Sequence, residues 1–355
     1  MAKKLMKGCE AISEAAIQAG CKYFFGYPIT PQNDIPEYMS ARLPQVGGCF
    51  LQAESEVAAI NMVYGAAGAG ARAMTSSSGP GISLKQEGIS AIVGAELPCV
   101  IVNVMRGGPG VGNIQASQGD YFQAVKGGGH GDYHLIVFAP ASIQETVNLM
   151  RTAFDVADKY RNAVMILADG LIGQMMEPVE MPEDTVTELP EKPWAATGYT
   201  PGGKKPRAVI NSLYIETEEL AELNDRLQAR YREIEKNEVR VECFNTEGAE
   251  FILYAYGTVA RICKAAIEIL AEQGIKVGLV RPITLWPFPS KEVYEAAAQD
   301  SVKSTLTVEI SAGQMVEDVR LAVNGKKNVE FLGQPGSIVP TPEEIAERIL
   351  EMRRA

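Results

Sequence analysis

Along the first half of the chain, apolar positions switch between a spacing near 3.6 residues and short continuous runs. In residues 8–19 Ala11, Ile12, Ala15, Ala16 and Ala19 share one helical face, and Gly20 ends the helix. Residues 22–25 form a short strand. Residues 57–68 form a helix of small side chains, with Ala58, Ala59, Gly65, Ala66 and Ala67, and residues 71–75 a strand. Helix is predicted over 82–94, a buried strand over 98–105 and a further strand over 134–138. A long amphipathic helix over 141–161 places Ile143, Val147, Met150, Phe154 and Val156 inward, and a strand follows over 163–169. Strands alternating with helices predict a parallel sheet covered on both faces. Ligands of such sheets collect outside the carboxyl ends of the strands. The loops at 26–31, 76–81 and 106–120 each follow a strand and are expected along one edge.

The pattern then breaks. Residues 177–208 are rich in Pro, Glu, Gly and Lys and read as a linker or extended arm. Residues 217–241 form a strongly charged helix expected on the surface. A second α/β pattern follows, with strands over 251–256, 276–280, 304–310 and 329–332. Its helices run over 258–273, 291–299, 314–323 and 341–354, and a proline-stiffened loop covers 281–289. The expected division is an α/β domain over 1–176, an arm and charged helix over 177–243, and a smaller α/β domain over 244–355.

Length agrees with this, since 355 residues exceed one ordinary core. The net charge of −11 argues against a nucleic-acid surface. No apolar run reaches 18 residues and no signal-peptide pattern is present, so a cytoplasmic chain with no membrane segment and reduced thiols is expected. The six cysteines include no C-x-x-C pair, so zinc and iron–sulfur ligation on this chain are not expected. His130 and His134 lie four apart, but a glycine run and an apolar strand flank them. They are read as turn or core histidines, and no metal site is expected. The glycine clusters 65–70 and 107–112 suggest a nicotinamide-dependent dehydrogenase only loosely, because neither lies at a strand-to-helix turn with a ribose-binding acid.

Four features could carry chemistry. Glu54 and Glu56 precede the small-residue helix, either as favourable helix-start charge or as working acids. They lie two apart, so at most one points into a given site. Pro28 and Pro31 stiffen the loop that holds Thr30. Ser76-Ser77-Ser78-Gly79-Pro80-Gly81 can expose backbone N–H groups. Arg106 follows a buried strand at the expected ligand edge, as a surface arginine or as a two-bond partner for a carboxylate. A non-catalytic scaffold, supported by the charged arm, would gain if Thr30, Glu56 and Arg106 lay far apart.

Taken together the motifs resemble a known family. They are Phe25-Gly26-Tyr27-Pro28-Ile29-Thr30-Pro31, Glu54-Ser55-Glu56, Thr75 to Gly81, Val102-Asn103-Val104-Met105-Arg106, and Gln118-Gly119-Asp120. The second half adds Val280 to Pro289, Val308-Glu309 and Gly313-Gln314-Met315. The chain resembles, end to end, the alpha subunit of 2-oxoacid:ferredoxin oxidoreductases. Gly110 to Ile114, Gln118 to Phe122 and Gly127 to Asp132 look most like the 2-oxoisovalerate branch, with the 2-oxoglutarate branch as the alternative. The resemblance implies a pyrimidine-binding thiamine-diphosphate domain and a transketolase-C-like α/β domain. It implies oxidative decarboxylation of a 2-oxoacid with coenzyme A, giving acyl-CoA, CO2 and reduced ferredoxin. Thiamine diphosphate would be shared with a partner subunit. Mg2+ and [4Fe-4S] clusters would sit on beta, gamma or ferredoxin-like partner subunits. By the same resemblance Glu56 aligns with the glutamate that hydrogen-bonds the aminopyrimidine ring nitrogen. Thr30 faces the substrate, Arg106 meets its carboxylate, and Tyr27, Pro28, Ile29, Ser78 and Gly79 join Glu56 around the cofactor.

Overall fold

The computed structural model describes residues 3–354 apart from 183, 200, 204 and 205. Its strands, in chain order, are β1 Lys4–Lys7, β2 Tyr23–Gly26, β3 Cys49–Gln52, β4 Ala73–Ser77, β5 Cys99–Met105, β6 Ile136–Phe138 and β7 Ala163–Asp169. They continue as β8 Met176–Val179, β9 Val241–Phe244, β10 Phe251–Tyr254, β11 Val277–Pro282, β12 Thr284–Trp286, β13 Ser304–Glu309 and β14 Val329–Gly333. The larger sheet has the order β12-β6-β7-β5-β4-β2-β3 and is parallel except for β12. The smaller has the order β14-β13-β10-β11-β9, parallel except for β9. Strands β4, β5 and β7 are buried at every position, which is why β5 and β7 read as nearly continuous apolar runs rather than alternating ones, while β4 buries Thr75, Ser76 and Ser77.

Helix Gly8–Gln18 ends as expected: Gly20 takes φ +82°, and its N–H donates to the Ile17 carbonyl. It packs beside helix Ile143–Tyr160. Arg72, just before β4, is buried against that layer. Its guanidinium donates to Asp158 at 2.8 Å, to Asp155 at 2.6 Å and to the Ala19 carbonyl at 2.6 Å. Helix Glu56–Gly68 lies close to helix Pro80–Gly94, and the small residue that permits it is on the second helix. A Cβ at Gly88 would stand 2.4 Å from Ile60, an approach that only glycine permits.

Several elements depart from the sequence reading. The expected linker over 177–208 opens inside β8, which pairs antiparallel with β1. The stiff loop over 281–289 contains β12, which leaves the second α/β unit and extends the first sheet beside β6. Helix Asp34–Arg42 and edge strand β3 lacked the expected periodicity: Asp34, Pro36, Glu37 and Ser40 dilute the first, and β3 is largely exposed. The charged helix, Thr217–Asn237, buries Leu223, Leu227, Tyr231 and Ile234 along one stripe. It therefore acts as a strut, and Tyr231 meets Trp286 and His134 edge-on. His134 itself stacks on Trp286 with ring centroids 4.5 Å apart.

Gln118 joins the two α/β units. Its side chain donates to the Tyr256 carbonyl at 3.0 Å and accepts from the Ile310 N–H at 3.0 Å. Tyr121 donates to Asp318 at 2.7 Å, and Arg281 grips Glu145 through two bonds of 2.9 Å. Glu309 ends β13 fully buried and accepts the N–H groups of Met315 and Val316, at 3.0 and 2.9 Å. It thereby satisfies donors at the head of helix Met315–Val323, with burial raising its pKa.

Candidate active site

Strands β2, β4 and β5 are neighbours in the larger sheet, so the loops that follow them converge. The loop after β2 exposes Tyr27 and Pro28 and half-buries Ile29 and Thr30. Gln32 donates to the Tyr27 carbonyl at 3.1 Å and accepts from Ser76 on β4, fixing the first loop to the second. Asn33 donates to the Thr30 hydroxyl at 3.1 Å.

Arg106 closes the third side. One guanidinium nitrogen donates to the Thr30 carbonyl and another to the Val111 carbonyl, each at 2.8 Å. Its Nε is buried without a partner, and a Cβ at Gly79 would stand 3.0 Å from it. Gly79 has φ +48°, so the serine loop reaches this approach in a conformation that favours glycine. Arg106, Gly79 and the 107–111 loop line a cavity of about 730 Å³, whose far wall is Ile310 to Gln314 with Pro335 and Gly336. Asp120 also lines it, held by Asn103 at 3.0 Å and raised in pKa by burial.

Glu56 lies on the other side of the serine loop. It is the first residue of helix Glu56–Gly68, whose N-cap Ser55 accepts from the Ala58 N–H at 3.2 Å. Glu56 is 6% exposed, whereas Glu54, outside the helix, is exposed. No hydrogen bond from the described residues ends on the Glu56 carboxylate. A Cβ at Gly81 would stand 2.6 Å from Glu56 Oε1 and 2.2 Å from Ser77 Oγ, so acid and hydroxyl crowd one point. Ser77 Oγ and Ser78 Oγ are both buried without a partner.

The structure thus joins Thr30, Arg106 and Gly79 directly, and sets Glu56 beside them across residues 77–81. Tyr27, Pro28 and Ile29 form the adjoining loop. Glu56 does not line the 730 Å³ cavity. Sequence reading missed Lys85, Asn103 and the unsatisfied Ser77. Lys85 gave little signal, because Gln86 and Glu87 follow it and the three read as one polar stretch of the helix. Among the described residues no cluster of three or more His, Cys, Asp or Glu could hold a metal, and no helix is long and apolar enough to cross a membrane.

The chain matches two family models. "Pyruvate flavodoxin/ferredoxin oxidoreductase, thiamine diP-binding" covers residues 14–242, and "Pyruvate:ferredoxin oxidoreductase core domain II" covers 249–345. It is 49% identical over 352 residues to ketoisovalerate oxidoreductase subunit VorB of Methanothermobacter thermautotrophicus, covering 99% of this chain and 98% of that one. It is 38% identical over 353 residues to 2-oxoglutarate synthase subunit KorA of Archaeoglobus fulgidus, covering 98% of each. Among solved structures it resembles 2-oxoglutarate:ferredoxin oxidoreductase from Magnetococcus marinus with 2-oxoglutarate, coenzyme A and succinyl-CoA bound. The TM-score is 0.84 at 26% identity, over 98% of this chain and 65% of that chain.

Proposed function

The chain belongs to the 2-oxoacid:ferredoxin oxidoreductase family, as a subunit with the thiamine-diphosphate-binding fold, and we propose that it acts on 3-methyl-2-oxobutanoate. With partner subunits it would catalyse oxidative decarboxylation of that branched-chain 2-oxoacid with coenzyme A, giving the acyl-CoA, CO2 and reduced ferredoxin. Higher identity to the VorB relative than to the KorA relative supports this substrate over 2-oxoglutarate.

The observation that carries the site is Glu56. Glu56 is 6% exposed and no hydrogen bond from the described residues ends on its carboxylate, yet neither oxygen is among the fully buried unpartnered atoms, so the acid is open to a ligand from the surface. The aminopyrimidine of thiamine diphosphate fits it, because a ring nitrogen can share a proton with the acid. The unsatisfied Ser77 and Ser78 hydroxyls add polar partners beside it. Bound thiamine diphosphate supplies the electron sink for loss of CO2. Glu56 would hold the proton shared with the ring nitrogen, and Tyr27, Pro28, Ile29, Ser78 and Gly79 would wall the ring. Arg106, whose terminal nitrogens here donate to the Thr30 and Val111 carbonyls, would meet the substrate carboxylate, and the Thr30 hydroxyl would donate beside it.

The division at residues 176 and 243, the diphosphate grip with Mg2+ on a beta subunit, clusters on the partner subunits, and a cytoplasmic location belong to the same proposal. Co-purification with the partner subunits followed by viologen reduction with several 2-oxoacids tests it. The fastest kcat/KM should fall on 3-methyl-2-oxobutanoate, and a preference for 2-oxoglutarate would move the assignment to the other branch.

A further inference from the structure

Lys85 is fully buried in helix Pro80–Gly94, one turn beyond Gly81. Its Nζ donates to Thr75 Oγ1 on β4 at 3.1 Å and to the Glu56 carbonyl at 3.4 Å. The ammonium therefore holds the residue that opens the neighbouring helix, and does so through the backbone. Glu56 is also the charged group that acts on Lys85 electrostatically, favouring its protonated form against burial. A lysine costs much to bury, and an apolar residue would pack there without that cost.

We propose that Lys85 is a positioning residue for Glu56: its Nζ donates to the Glu56 carbonyl and to Thr75 Oγ1, so a buried positive charge fixes the start of the helix that carries the acid. This rests on the role given to Glu56 above. With the ammonium in place, the acid keeps one aim and a charge-compensated surrounding when the cofactor ring docks. When Lys85 loses its proton, both supports weaken. Burial brings Lys85 down to about 8, so the loss falls within a measurable pH range. The groups that face its Nζ are the Thr75 hydroxyl from β4 and Glu56 from helix Glu56–Gly68.

The test uses the enzyme assembled with its partner subunits, in wild-type, Lys85→Met, Thr75→Val and Glu56→Gln forms. Each is followed by viologen reduction across pH and by near-ultraviolet circular dichroism of bound thiamine diphosphate. Lys85→Met should lower kcat on the order of tenfold or more, as loss of a partner that orients a working group does elsewhere. KM for the 2-oxoacid should hold, the alkaline limb of the kcat profile should vanish, and the dichroism of the bound cofactor should change. Thr75→Val keeps the ammonium but removes its hydroxyl partner, and should move the alkaline limb to lower pH. A Lys85→Met enzyme with the wild-type rate, limb and dichroism overturns the proposal. If Lys85→Met fails to assemble, an unmoved limb in Thr75→Val overturns it. Glu56→Gln at the wild-type rate refutes instead the role of Glu56.

Discussion

Replacing Lys85 by methionine should stabilise the folded chain at neutral pH while it harms turnover. Methionine matches the lysine stem in length, and Lys85 has no exposed surface. Burial lowers Lys85 from 10.5 to about 8 in the fold. Between those values the unfolded chain binds the proton that the folded chain has released. Wild-type stability therefore rises with pH across that window, and the full cost is present below it. At about 1.4 kcal/mol per pKa unit, the buried ammonium costs about 3 kcal/mol at pH 7 and about 1.4 kcal/mol at pH 9.5. Two hydrogen bonds are lost with the ammonium, to Thr75 and to the Glu56 carbonyl, and each offsets the gain by about 1 kcal/mol. Any strengthening of these bonds by the proton is already contained in the pKa shift, so the offset counted here is that of the neutral amine and is the same at both pH values. The advantage of the variant should therefore shrink by about 2 kcal/mol from pH 7 to pH 9.5. Urea unfolding at the two values, by tryptophan fluorescence and far-ultraviolet circular dichroism, measures it through the midpoint and slope. A variant advantage that stays constant or grows with pH would refute the burial argument.

Glu56→Gln in the assembled enzyme should cut kcat by about 10² to 10⁴, the range of positioned acid–base groups, with assembly intact by gel filtration. Gly81→Ala puts a Cβ 2.2 Å from Ser77 Oγ and 2.6 Å from Glu56 Oε1, so it should weaken thiamine-diphosphate binding measured by calorimetry. Retained affinity would mean that this crowded point lies outside the cofactor site. Gln118→Leu strands the Tyr256 carbonyl and the Ile310 N–H between the two units and should cost about 2–4 kcal/mol in urea unfolding. Arg72→Leu removes the guanidinium from Asp158, 6% exposed, but leaves it paired with Lys192, and it strands the Ala19 carbonyl; it should cost about 1–3 kcal/mol by the same assay.

Periodicity recovered the core elements because their burial is one-sided or complete. Helix Ile143–Tyr160 and strands β5 and β7 lie near their expected positions for that reason. Elements defined by pairing rather than by burial were hidden. Strand β12 sits between Pro282 and Pro287 and belongs to a sheet whose other strands lie more than a hundred residues upstream. Strands β1 and β8 are four residues each, and their pairing spans most of the first unit. Among site residues, Glu56 and Arg106 were legible as charge at the ends of apolar segments. Lys85 was not, because its meaning depends on Thr75 and Glu56 arriving at the same point from two other elements.

The surroundings of Glu56 also bear on why this chain needs partners. The acid is buried, but large apolar side chains near the same loops face outward: Tyr27 is 37% exposed, Leu51 40%, Val57 42% and Leu84 52%. Val57 follows Glu56 directly, Leu84 precedes Lys85, and Leu51 lies on edge strand β3 beside β2, which ends one residue before Tyr27. Single exposed apolar residues are ordinary on a protein surface. In the proposed shared site, a partner subunit covering these four residues would enclose the acid. Its surface would complete the pocket from outside the chain, consistent with Glu56 contributing one side of a shared site.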